Sequence, residues 1–260
     1  YITHQECGIR INPEKSTQKG TPLYDPASPY SRLGSTKKNL PFLPPKIKGL
    51  HFHTLCQQDA KDLALTLKVV EKNFKEFFPQ IQWINFGGGH HITKEGYNKE
   101  LLVKILNYFK KTYPLQVYLE PGEAIAFNGG YLQVQVLDIF NNKKNIAIID
   151  SSAACHMPDV LEMPYQPEIV GAKQKKQKGF PYSYRIGGNT CLAGDIVGDY
   201  FFEKPLKVGD KLLFKDMAIY TMVKNNTFNG VNLPDIILYQ KDNSFKKLQS
   251  FGYQDFKNRL

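Results

Sequence analysis

Three consecutive glycines, Gly87, Gly88 and Gly89, follow an apolar run that ends at Phe86 and precede an amphipathic stretch. Glycine lets backbone approach a ligand closely, and the start of a helix offers unpaired N–H groups and a positive dipole end, so the triplet can cradle a phosphate. Tight strand-to-helix turns use the same residues without a ligand, and the triplet alone does not choose between these readings. Glu120 closes another apolar run just before Pro121-Gly122, and His53 closes a third. In parallel α/β units catalytic groups gather at the C-terminal ends of the strands, where a carboxylate and an imidazole can face a flat bound ring. Taken singly, each is more often structural: the carboxylate a loop cap or a lysine partner, the imidazole a packed ring.

Cys191 sits in Gly187-Gly188-Asn189-Thr190-Cys191-Leu192-Ala193-Gly194-Asp195, a glycine-bracketed loop that sets a thiol and the carboxylate of Asp195 four residues apart. Such a loop can carry chemistry, and an inert cysteine is the competing reading. His90, His91 and His156 raise the question of a metal. Adjacent residues diverge on a helix and alternate on a strand, so His90 and His91 make a poor ligand pair, and no metal is expected.

The elements that position these groups follow from periodicity. Residues 49–53, 82–86 and 115–119 are short apolar runs of strand type, and residues 8–12 form a similar run before Pro13. Between them, Leu63, Leu67, Val70, Phe74 and Phe77 recur every three or four positions and predict a helix over 59–78 ended by Pro79. Leu101, Leu102, Ile105, Leu106 and Phe109 predict a second helix stopped by Pro114. Strand, helix, strand, helix, strand with short connections implies parallel strands covered by helices. Beyond Ala124 the runs 131–140, 145–150, 211–215 and 236–239 are of β type, and the last joins 245–251 through the turn-forming Lys241-Asp242-Asn243, predicting a hairpin in an antiparallel β domain. The expected division is residues 1–122 and 123–260.

Composition bounds the rest. The 260 residues, 42% hydrophobic and 13% aromatic, are enough for one large core or two modest ones. No apolar run is long enough to span a membrane, and residues 1–30 have no signal pattern. Cys7, Cys56, Cys155 and Cys191 lie far apart without paired spacing, which fits a reducing cytoplasm. The net charge of +10 is scattered apart from Lys173, Lys175, Lys176 and Lys178, so a solvated loop is preferred to a nucleic-acid partner.

Taken in order, His51-Phe52-His53, Asn85-Phe86-Gly87-Gly88-Gly89-His90-His91, Leu119-Glu120-Pro121-Gly122-Glu123-Ala124, His156-Met157-Pro158-Asp159 and Thr190 to Asp195 closely resemble the carboxynorspermidine/carboxyspermidine decarboxylases. The likeness extends over nearly the whole chain, including 216–221 and Thr227-Phe228-Asn229-Gly230. It implies an α/β fold with a second β part: the C-terminal half of an eight-stranded barrel that binds pyridoxal 5′-phosphate (PLP), followed by an antiparallel β domain, in a homodimer with sites at the interface. By the same resemblance Gly87, Gly88 and Gly89 hold the phosphate, Tyr220 reaches it, His53 stacks on the pyridine ring and Glu120 pairs with the ring nitrogen. Cys191 returns a proton to the α-carbon, with Asp195 beside it and nearer the substrate, and Glu123, Asp159 and Asp195 contact a cationic polyamine substrate. Related decarboxylases of ornithine or diaminopimelate usually carry Arg where Glu123 stands, and the reversed charge suits an amine.

The resemblance further implies that residues 8–12 are the fifth barrel strand and that the Schiff-base lysine belongs to the first, upstream of Tyr1. No lysine here takes that place. Tyr1 to Asn12 has the character of a chain already under way, and a half barrel would leave two sheet edges unpaired, so a further N-terminal segment is expected to complete it. The competing readings are a diaminopimelate or ornithine-type decarboxylase of the same fold, and a non-catalytic polyamine-binding pseudoenzyme supported by the missing lysine.

Overall fold

The computed structural model describes residues 6–20 and 22–260, so the beginning of the segment expected to be already under way lies outside the described residues. The chain divides into two compact units, Tyr1–Ala126 and Phe127–Leu260.

In the first unit β1 (Cys7–Arg10), β2 (Ile47–His51), β3 (Trp83–Asn85) and β4 (Gln116–Tyr118) form a four-stranded sheet in sequence order, and every neighbouring pair is parallel. Their register sets Arg10 beside His51, His51 beside Asn85 and Asn85 beside Tyr118, so the four strands end level with one another. Helix α1 (Ala60–Phe74) connects β2 to β3 and α2 (Lys99–Thr112) connects β3 to β4. Asp59 starts α1 through a capping box with Asp62, and Asn98 starts α2 by accepting from the Leu101 amide at 2.9 Å. The expected stripe is buried: Leu63, Val70 and Phe74 are fully covered, as are Leu67 and Phe77 to within a few per cent. The helix is shorter than its stripe, because a 3-10 segment (Lys75–Gln80) containing Pro79 takes over after Phe74. Phe109 of α2 packs edge-on against Phe86 with ring centroids 5.0 Å apart, which pins the helix over the end of β3. The short α3 (Gly122–Ala126) ends the unit.

In the second unit β5 (Tyr131–Asn141), β6 (Asn145–Ile149), β7 (Ala172–Lys173), β8 (Tyr182–Gly187), β9 (Ile196–Phe202) and β10 (Lys211–Lys215) make a six-stranded sheet in the order β10-β5-β6-β8-β9-β7. Its pairs are antiparallel apart from β6 with β8, which run parallel. Alternation decides its core: Leu132, Val134 and Val136 of β5 are buried between exposed neighbours, and so are Leu212 and Phe214 of β10. Helices α4 (Ala153–His156) and α5 (Asp159–Glu162) follow β6, and α6 (Tyr220–Val223) follows β10. The expected hairpin is present as β11 (Ile236–Tyr239) and β12 (Phe245–Gln249), and α7 (Tyr253–Lys257) comes last. Among the described residues no helix is long and apolar enough to cross a membrane.

Candidate active site

The C-terminal ends of the first unit's strands bring His53, Gly87, Gly88, Gly89 and Glu120 together. Glu120 follows β4, its side chain about half exposed, and its Oε1 accepts from Asn85 Nδ2 at 2.7 Å. Its amide donates to Gly87 O at 2.9 Å, so the residue is tied to the glycine turn by backbone as well. His51 Nε2, a buried nitrogen with no hydrogen-bond partner among the described residues, lies 3.7 Å from the same Oε1.

His53 is fixed by the same turn. Gly88 N donates to His53 Nδ1 at 2.9 Å, which makes Nδ1 the acceptor nitrogen and leaves Nε2 as the site for a proton. Burial, and after it the positive charge of Arg10, holds the His53 pKa below the ordinary imidazole value, so the ring is neutral near pH 7. Arg10 itself donates from a terminal nitrogen to His53 O at 3.1 Å. Only glycine fits at 88: a Cβ there would lie 2.8 Å from Glu120 O and 2.8 Å from His53 Cε1.

The triplet differs in one respect from a simple phosphate cradle. Gly87 N donates to Asn85 Oδ1 at 2.8 Å, and Gly88 N is committed to His53. Two of the three amides are therefore engaged internally, whereas those of Gly89 and His90 have no acceptor among the described residues. Glu123, in α3, accepts from Gln57 Nε2 at 2.5 Å. His90 and His91 are both buried, and the described residues contain no cluster of three or more His, Cys, Asp or Glu suited to a metal.

In the second unit Cys191 is exposed and its Sγ lies 3.4 Å from Asn229 Oδ1. Asp195 does not lie open to a substrate as expected from the resemblance. It is 3% exposed, and its oxygens are filled by four donors: Ala153 N at 2.7 Å and Ala154 N at 3.4 Å on Oδ1, Thr190 N at 3.2 Å and Thr190 Oγ1 at 2.6 Å on Oδ2. A carboxylate so occupied joins the start of α4 to the Cys191 loop. Gly188 is required beside it, since a Cβ there would lie 2.3 Å from Asp195 Oδ2. Asp159 is paired with Lys224, which also bridges to Glu162. Tyr220 opens α6 with its side chain exposed.

Residues 23–218 match the family model described as pyridoxal-dependent decarboxylase, C-terminal sheet domain. The chain belongs to the pyridoxal-dependent decarboxylases. Among relatives of this decarboxylase, a carboxynorspermidine/carboxyspermidine decarboxylase of Campylobacter jejuni is 44% identical over 97% of the chain and 68% of its own length. A carboxyaminopropylagmatine decarboxylase of Synechocystis is 45% identical over 99% of the chain and 67% of its own length. The crystal structure of carboxynorspermidine decarboxylase complexed with norspermidine, from Campylobacter jejuni, superimposes with a TM-score of 0.88 at 41% identity, covering 98% of this chain and 69% of that one. The fold class is accordingly that of these decarboxylases, a barrel part with a sheet domain.

The decarboxylase residues present fit PLP. A neutral flat imidazole, an accessible carboxylate and two open amides share one sheet edge, and the glycine turn leaves no side chain in the way. Arg10, His51 and Asn85 are not distinguished by sequence as site residues. Their only signal is position, each at the end of a strand whose neighbours carry the recognised groups.

Proposed function

We propose that the protein decarboxylates a carboxylated polyamine, carboxyspermidine or carboxynorspermidine, to spermidine or norspermidine, using PLP. The observation that carries this reading is the convergence of Glu120, His53 and the 87–89 turn at one end of a parallel sheet in a chain of this family. When bound, the cofactor supplies a sink for the electron pair left by departing carbon dioxide. Glu120 favours a protonated ring nitrogen, because an adjacent carboxylate stabilises the charged form. His53, its orientation held by Gly88 N, would lie against the ring. Gly87, Gly88 and Gly89 would border the phosphate, the amides of Gly89 and His90, which have no acceptor among the described residues, would be available to it, and Tyr220 would reach the same group. Cys191 returns a proton to the α-carbon, while Asp195 holds its loop. Glu123 and Asp159 orient the ammonium groups, since opposite charges attract more strongly in a partly enclosed site than in water.

The same reading includes a homodimer with sites at the interface and a cytoplasmic location, in keeping with cysteines that lie far apart along the chain without paired spacing. The 45% identity to a carboxyaminopropylagmatine decarboxylase favours one second reading, a substrate with the same amino-acid end and a guanidinium at the far end. One extra methylene changes pocket energy by only about 1–3 kcal/mol, so the far end is decided by measurement. Full-length enzyme with PLP is incubated with carboxynorspermidine, carboxyspermidine, carboxyaminopropylagmatine, diaminopimelate and ornithine, and carbon dioxide release is followed. Turnover of a carboxylated polyamine is expected; turnover of diaminopimelate or ornithine alone, or of nothing, refutes the proposal.

A further inference from the structure

Asn85 occupies a place that neither the glycine turn nor the acidic partner accounts for by itself. Its Oδ1 accepts from Gly87 N at 2.8 Å and its Nδ2 donates to Glu120 Oε1 at 2.7 Å. Glu120 N returns to Gly87 O at 2.9 Å, so Asn85, Gly87 and Glu120 close a hydrogen-bonded ring. The amide orientation is fixed by chemistry, because a backbone N–H requires the oxygen and a carboxylate requires the nitrogen. The backbone at residue 85 is set by the sheet, where it is paired with His51 on one side and Tyr118 on the other.

We propose that Asn85 is a positioning residue that couples the phosphate-side turn to the carboxylate facing the ring nitrogen, so that the two ends of the cofactor site are held in one geometry. The inference rests on the assignment of Glu120 to the ring nitrogen made above. Its physical basis is that one side chain serves as acceptor for one end and donor for the other, which no ionised acid can do. Aspartate, of the same shape, would keep the Gly87 bond and set a second carboxylate against Glu120. Hydrogen bonds to a charged group are among the stronger ones, and like charges in contact add a penalty, so the substitution N85D weakens the site while leaving its volume intact.

The test exchanges donor and acceptor. Full-length holoenzymes carrying N85D, E120Q and N85D/E120Q are prepared alongside wild type, and the PLP dissociation constant, kcat and KM are measured for each. N85D is expected to weaken PLP binding by about tenfold or more. In the E120Q background the same change is expected to cost less than about threefold, because the NH2 group of the introduced glutamine can donate to the new carboxylate and re-form the contact with its direction reversed. An equal loss in both backgrounds overturns the proposal, since Asn85 would then act without Glu120. Failure of the underlying assignment gives a different result: E120Q would retain wild-type kcat. Should N85D not fold, N85S keeps an acceptor for Gly87 N but has no arm to Glu120; it is expected to lower PLP affinity and kcat several-fold with KM unchanged, and wild-type values in all three overturn the proposal.

Discussion

Replacing Asp195 by asparagine tests whether that residue serves architecture or substrate. In the structure all its lone-pair capacity faces donors, three of them backbone amides and one the Thr190 hydroxyl. The least costly placement of the introduced amide keeps its oxygen toward Ala153 and Ala154 and turns its NH2 toward Thr190. The hydroxyl can reverse and accept, but the Thr190 amide cannot, and it is left facing another N–H. A buried group left unsatisfied costs about 1–3 kcal/mol. The remaining bonds lose their charge assistance, roughly half their strength. Relief of the desolvation penalty carried by a buried carboxylate offsets part of this. The balance is a loss of about 2–3 kcal/mol in folding stability, read as a lower urea midpoint for D195N. Because the bonds tie α4 to the Cys191 loop, kcat should fall as well, while PLP affinity, assigned mainly to His53, Glu120 and the 87–89 turn, should hold. A D195N protein as stable as wild type within about 0.5 kcal/mol, with a raised KM as its only defect, would refute the architectural role and restore the substrate contact.

Two further outcomes follow from the same geometry. The substitution G88A places a methyl 2.8 Å from both Glu120 O and the His53 ring; backbone cannot yield as a flexible side chain does, so a stability loss of about 1–3 kcal/mol and at least roughly tenfold weaker PLP binding are expected, measured by urea unfolding and cofactor titration. Burial lowers the pKa of His156 from the ordinary 6.5, as it does for His53 and His90. Below about pH 6.5 the unfolded chain therefore takes up protons that the folded chain refuses, stability falls with pH through that window, and the loss levels off below the folded pKa. H156Q should lose less stability than wild type between about pH 7.5 and 5.0, by at most about 1.4 kcal/mol per pH unit traversed; parallel losses in the two proteins would show that His156 is not held neutral.

The elements that sequence periodicity locates are those whose pattern is set by their own burial. The run 211–215 coincides with β10, and the stripe from Leu63 to Phe77 is buried as expected. Two central strands of the second sheet, β8 and β9, carry no such signal. Tyr182–Gly187 has Arg185 near its middle and Ile196–Phe202 has Gly198 and Asp199. Read along the chain, a charge and a glycine inside a short run suggest a loop. The sheet resolves the conflict across strands: Arg185 stands directly opposite Asp199, with Nε 2.8 Å and a terminal nitrogen 3.2 Å from the carboxylate, and Lys144 joins from a third direction. A charge whose partner stands on the neighbouring strand has a pairing that is invisible until the register is known.

The candidate site divides in the same way. Gly87 to Gly89, His53 and Glu120 are recognisable because a strand end followed by glycine or Pro-Gly is a local signature, and their meeting at one edge follows from parallel strands ending in register. Asn85 is not separable from ordinary polar residues by spacing, and Asp195 is singled out by a spacing that misleads. Asn85 acquires a role because two bonds made by one amide reach partners 2 and 35 positions away. Asp195, four residues from a thiol, reads as a site acid, yet its nearest backbone donor belongs to Ala153, 42 positions earlier. Proximity in sequence to a reactive group is thus weak information about a carboxylate, because what decides between substrate contact and scaffold is how many of its lone pairs the fold has already claimed. By that measure Glu120 remains open for chemistry, with one bonded oxygen and a half-exposed side chain, and Asp195 does not.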